Sequence, residues 1–435
     1  MFGLFGSKPP LTTRQRAELE LLMRRIVQRI GESTVQETEM VCELGQLSLD
    51  LADEESLLLS AAAEVRRRMQ LTDANVQLKI VRDDSIDAAA VYMLGDPATI
   101  LVGDATLQDP LRSVVALAHE YSHHLLLGNG ETTRSNSDER LTDLIPICFG
   151  LGILQSHASS YFLSWTVGES NAFAASKMGY LNAEEIGYAL ALLARCRGET
   201  APDWMRRLRD DSRVTMKRAQ RYFRDHQRSG GQILFDAGQI PDLPSSQGKL
   251  LNWIQGDDPT FALAAMWRLA GMDSFDTATI DVLLAATESS DRDVVPMAIT
   301  LLAGTEHHDQ RVVVQLTALM GDRRPGVAIA AMRAAYALGI DLSDHIGEMT
   351  ALLDDPSVDF AAVVQLIGQL EEQGQRADAA ICKHLARSIR NLEDEKTDML
   401  LRCLRSICTD PAATITKLMP QMDQEEALRW LQRRH

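Results

Sequence analysis

The spacing of apolar residues predicts a mainly α-helical chain of the α+β kind. A small β-sheet with a helical surround lies in its first half, and an α-solenoid of paired helices makes up its second half. Three observations carry this. Apolar residues recur every three or four positions along most of the chain. Strict alternation replaces that pattern only between Val76 and Val102. After residue 251 one helical frame recurs at a nearly constant interval.

Residues 1–70 read as an N-terminal helical segment. Leu19, Leu22, Met23, Ile26 and Ile30 share one helical face, with Arg, Glu and Gln between them. Gly31 ends that helix and Thr34 is placed to cap the next. Asp53 is placed to cap a third, which carries Leu57, Leu58, Leu59 and Ala62 and ends in the basic run Arg66-Arg67-Arg68. A second domain is expected over 71–228. It opens with strands at Val76–Ile80, Ala90–Leu94 and Thr99–Val102, with Gly95-Asp96-Pro97 as a turn.

Asp109-Pro110 then supplies an N-cap followed by proline at the first helical position. The helix predicted from there runs through Leu111, Val114, Val115 and Ala118 to Leu125-Leu126-Leu127, with Gly128 to close it. At its centre stands His119-Glu120-Tyr121-Ser122-His123. Histidines four apart share one helix face, one turn apart, and can hold one Zn²⁺, with the intervening Glu120 near the water that the ion activates. With 10 His in 435 residues, an accidental HExxH arises in roughly one such chain in a hundred, so the motif needs its context. His124 points off the ligand face.

A polar loop, 129–137, leads to a helix that begins DERLTDLIPICFGLGIL, with Asn136 or Ser137 as its cap. Glu139 and Asp143 are four apart in it. Asp138 and Glu139 suit a helix N-terminus through the macrodipole. Asp143 lies deeper, in an apolar stretch where an unpaired carboxylate is costly, and a metal-bound histidine is a suitable partner. Pro146 is expected to kink this helix, and Gly150 and Gly152 to permit close packing.

HEYSH followed by Glu139-Arg140-Leu141-Thr142-Asp143 resembles the gluzincin metallopeptidases, whose pattern is HExxH and then ExxxD on a second helix. The resemblance covers about 76–155, and the preceding strands also look like the minimal gluzincin core. The chain is also similar to an uncharacterised bacterial family of HExxH proteins with a TDL…GLG helix and a GYL…GYALAL segment. The gluzincin likeness implies a zincin-like domain in which His119, His123 and Glu139 bind zinc. Glu120 would then be the general base, and Asp143 would hold a ligand histidine. Asp143 as the third ligand, with Glu139 outside it, stays open. His157, Tyr161 and Tyr180 are candidates to stabilise a developing oxyanion.

Residues 156–228 continue helical, with Asn182 capping a helix that carries Ile186, Leu190, Leu193 and Ala194. The Gly-, Pro- and Ser-rich run 229–250 reads as a linker. Beyond it, in 251–435, four stretches share one frame in which Phe261, Val294, Val327 and Val358 match, at intervals of 33, 33 and 31 residues. That period resembles HEAT-like repeats and implies a surface for a protein partner; the last stretch, from about 376, reads as a capping unit.

A net charge of −17 argues against nucleic acid and against anionic membrane as partners. The six cysteines form no CxxC pair, the N-terminus is too short in apolar residues for a signal peptide, and no run of eighteen apolar residues occurs, so a cytoplasmic protein is expected. Together these features lead to a zinc-dependent metallohydrolase, a peptidase above all, acting on a protein or peptide substrate. The alternative is a protein-binding scaffold whose metal site is structural or vestigial.

Overall fold

In the computed structural model the chain divides into two compact units, Met1–Leu243 and Pro244–His435. The residues described are 7–71, 75–82, 88–127, 136–159, 181–236, 246–272, 274–304 and 309–340, with shorter pieces between 342 and 429. They are mainly helical with one small sheet. None of their helices is long and apolar enough to cross a membrane.

In the first unit α1 (Thr13–Ile30) opens with a reciprocal box. The Thr12 hydroxyl accepts from the Gln15 N–H, and the Gln15 side chain accepts from the Thr12 N–H. It buries Leu19, Met23, Ile26 and Val27 and stops at Gly31, whose φ of 90° suits glycine. The next helix, α2 (Glu32–Glu37), starts directly after Gly31, so Thr34 lies inside it rather than capping it. In α3 (Glu54–Arg68) the Asp53 carboxylate caps the Ser56 N–H as expected, and Leu59 faces solvent.

Three strands follow: β1 (Val76–Val81), β2 (Ala90–Met93) and β3 (Ala98–Gly103). Their spatial order is β1-β3-β2, with β1 parallel to β3 and β2 antiparallel to it at one edge. Alternation along β3 sends Ala98, Ile100 and Val102 into the core. A short α4 (Asp104–Leu107) leads to α5 (Pro110–Leu127). There Asp109 caps the N–H groups of Leu111 and Arg112 ahead of Pro110. One face of α5 buries Val114, Leu117, Ala118 and Tyr121; α3, α6, α7 and β2 pack around it.

The helix expected after the polar loop is two helices, α6 (Asn136–Cys148) and α7 (Gly152–Ala158). The break comes at Gly150, not at Pro146, which stays inside α6. The Leu151 N–H reaches back to the Pro146 carbonyl and the Gly150 N–H to that of Ile147, the double bond of a Schellman ending. Gly150 has φ +82°, and a Cβ there would lie 2.2 Å from the Glu39 carbonyl oxygen. Only glycine can make that crossing, which lets the Val41 N–H bond the Gly150 carbonyl at 2.9 Å.

Two long helices complete the unit, α8 (Ala183–Cys196) and α9 (Asp210–Arg228). Asn182 caps α8 as expected, in a box with Glu185. Ile233, Leu234 and Phe235, from the stretch read as linker, are buried, and Ile233 and Phe235 belong to the same core as the helices of residues 1–70. Apolar burial thus draws both flanking segments into the first unit.

The second unit stacks α10 (Gln247–Ile254), α11 (Pro259–Leu269), α12 (Thr277–Ala286), α13 (Val294–Ala303), α14 (Gln310–Met320) and α15 (Pro325–Ala337). The three helices in the repeat frame, α11, α13 and α15, pack successively on one another. Val294 and Val327 are both buried, near the starts of α13 and α15. Short pieces at α16 (Ile346–Leu352) and α17 (Pro411–Leu418) follow. Most of the fourth frame, 354–370, and of the expected capping unit lies outside the described residues.

Candidate metal centre

The site is built where α5 crosses α6. One turn of α5 separates His119 from His123, so both imidazoles leave the helix on one face, with ring centroids 5.0 Å apart. The other face of that turn is anchored by Tyr121 and Ala118, which are buried. From α6, Glu139 brings Oε2 to 3.3 Å from Nε2 of His119 and 3.3 Å from Nε2 of His123. One donor atom from each residue lies within 4.8 Å of the other two, so the three could hold a metal ion.

The separations fit such an ion. Zinc binds imidazole nitrogen at about 2.0–2.1 Å and carboxylate oxygen at about 2.0–2.2 Å, so neighbouring donors on a tetrahedron stand about 3.3–3.5 Å apart. Both nitrogen–oxygen distances here meet that edge. The donor set, two imidazoles and a carboxylate, also leaves a fourth position for water or substrate.

Asp143, one turn beyond Glu139, stands elsewhere. Its Oδ1 lies 2.7 Å from His119 Nδ1, and its Oδ2 accepts the Leu181 N–H at 3.1 Å. A carboxylate only accepts, so Nδ1 carries the proton and Nε2 is turned toward Glu139. Asp143 is buried, and these two donors answer the cost of its charge. Gln155 on α7 donates to the Asp143 carbonyl at 3.0 Å. Beside it, Arg140 binds Glu18 of α1 and Glu185 of α8, which fixes α6 against both helices.

The electrostatics follow from these contacts. Burial works against charge on His119, but its bonds to Asp143 and Glu139 outweigh it and raise the imidazole to about 10. The bonds from His119 and His123 hold the Glu139 carboxyl down at about 2. Glu120 is buried at 6% exposure, and that burial raises its carboxyl above the ordinary range; the two histidines and the Tyr92 backbone N–H partly offset it.

Two neighbours carry no motif signal. Tyr92, on the edge strand β2, stacks on His123 with centroids 6.3 Å apart and planes 23° apart. Its hydroxyl lies 3.1 Å from His124 Nδ1, so the histidine that points off the ligand face has a partner of its own. Alternation showed Tyr92 only as a strand residue; no sequence pattern reports what faces it across the helix. Of the oxyanion candidates, His157 is bonded through Nε2 to the Arg207 carbonyl at 2.8 Å, while Tyr161 and Tyr180 lie outside the described residues.

The chain matches no protein-family model, no curated protein and no solved structure. The functional reading therefore stands on motif, spacing and geometry.

Proposed function

We propose that the first unit is a zincin-like, gluzincin-type zinc metallohydrolase, and that its substrate is a protein or peptide. The observation that carries this is the pair of 3.3 Å separations from Glu139 Oε2 to the two imidazole nitrogens, behind which Asp143 holds His119. His119, His123 and Glu139 would hold the ion, and Asp143 would be the positioning carboxylate. When bound, zinc supplies Lewis acidity: it lowers the pKa of a water toward about 7 and polarises the scissile carbonyl.

The chain's own part falls to Glu120. It shares the turn of the two histidines, and its raised pKa suits a group that takes a proton and then returns it. It removes the proton from the attacking water and delivers it to the leaving amine nitrogen. The C–N bond then breaks to give a free carboxylate and amine.

For the second unit we propose a HEAT-like α-solenoid that docks a protein partner. Its support is the recurrent frame and the successive packing of α11, α13 and α15. Helix stacks of this kind offer an extended surface and carry no chemistry of their own.

Purified from zinc-replete medium, the protein should carry about one zinc per chain. Glu120→Gln should keep the zinc and lose hydrolysis of a peptide library by about 10²-fold or more. A metal-free protein, or full activity in that variant, refutes the reading.

A further inference from the structure

The two ligand histidines are not held alike. His119 is backed at Nδ1 by the Asp143 carboxylate. Among the described residues no carboxylate backs His123 in that way; the side chain laid against its ring is Tyr92. The same residue touches the site once more, where its hydroxyl is paired with His124.

Each contact has a physical consequence. The ring has only two rotatable side-chain bonds, so little freedom is lost in holding it against an imidazole. A half-buried tyrosine hydroxyl needs a partner, and His124 Nδ1 at 3.1 Å supplies one, which fixes the direction of the ring. The strand is itself anchored, because Tyr92 stands opposite Ile100, which is fully buried in β3.

We propose that Tyr92, braced by His124, is the positioning residue for the His123 ligand, the aromatic counterpart on β2 of what Asp143 does for His119. This rests on the metal-centre reading above. It assigns a role to His124 and explains why the edge strand presents a tyrosine at this point.

The test uses the full chain loaded with Co²⁺ alone or Zn²⁺ alone. The variants are Tyr92→Leu, Tyr92→Phe, His124→Phe and the double Tyr92→Phe/His124→Phe. Tyr92→Phe keeps the ring and removes only the hydroxyl. Tyr92→Leu should weaken both ions by about ten-fold or more and shift the visible absorption of bound Co²⁺, a signature of ligand orientation. Tyr92→Phe and His124→Phe should each show a smaller loss, and the double variant no more than either, because they break one shared bond.

Thermal unfolding of the metal-free variants separates this from simple destabilisation, which lowers the melting point without moving the spectrum per folded chain. If Tyr92→Leu binds Co²⁺ with wild-type affinity and spectrum, the proposal is overturned while the metal centre stands. If the wild-type chain takes up neither ion, both fall together. Should Tyr92→Leu not fold, unchanged affinity in both Tyr92→Phe and His124→Phe overturns the proposal.

Discussion

Replacing Asp143 by asparagine separates a residue that positions a ligand from one that is a ligand. The carboxylate offers two acceptors, Oδ1 to His119 Nδ1–H at 2.7 Å and Oδ2 to the Leu181 N–H at 3.1 Å. An amide of the same shape offers one oxygen. Whichever donor that oxygen serves, the amide NH₂ faces the other, and a buried N–H loses its acceptor. A charge-assisted bond contributes about 1.5–3 kcal/mol, and an orphaned buried donor costs about 1–3 kcal/mol. Allowing for relaxation, Asp143→Asn should lower the stability of the metal-free protein by about 2–4 kcal/mol. In a unit of this size that is a melting-point drop of about 4–16 °C. Zinc affinity, measured by competition with a chromophoric chelator, should fall by about 10–100-fold, which is about 1.4–2.7 kcal/mol. Glu139→Gln should lose more zinc affinity than Asp143→Asn and less stability, because Glu139 is partly exposed and its role is to meet the ion. Wild-type zinc affinity in Asp143→Asn, or the opposite ranking of the two variants, refutes the assignment of their roles.

Stability of the metal-free protein should depend on pH at both ends. The Glu139 carboxyl is depressed from 4.5 to about 2, so its contribution is full above 4.5 and is lost as pH falls toward 2. The His119 imidazole is raised from 6.5 to about 10, so its contribution is full below 6.5 and is lost as pH rises toward 10. Urea unfolding in chelator should therefore find the site's contribution greatest between about 4.5 and 6.5; a contribution still rising from pH 7 to 9 contradicts it. Gly150→Ala should cost about 2 kcal/mol or more, read by thermal unfolding, because alanine meets both a φ of +82° and the Glu39 carbonyl oxygen at 2.2 Å.

Local chemistry was legible where neighbours in sequence are neighbours in space. Asp109 before Pro110, Asn182 before Glu185 and Asp53 before Ser56 all cap the helices that their types and spacing announce. Alternation located the three strands, and four-residue spacing put His119 and His123 on one face. Reading failed where the deciding atom is remote. The end of α6 at Gly150 has no local signal that singles it out, because that glycine passes over the Glu39 backbone, more than a hundred residues earlier in the chain. The run 229–250 has a linker's composition, yet Ile233, Leu234 and Phe235 are buried, because an apolar surface stood ready for them.

By itself the sequence determined the mainly helical class, the position of the small sheet, the helix that carries HEYSH and the pairing of its two histidines, since 3.6-residue and two-residue periods are properties of the backbone alone. Tertiary structure decided the rest of the site. Glu139 and Asp143 share a helix face and read alike, but the crossing of α5 over α6 brings one to the Nε2 atoms and sends the other behind His119 to Nδ1. The packing of β2 on α5 sets Tyr92 against His123, a contact between strand and helix that no periodicity encodes. Spacing fixes which residues leave one helix together; only the packing of a second element fixes which atom they meet.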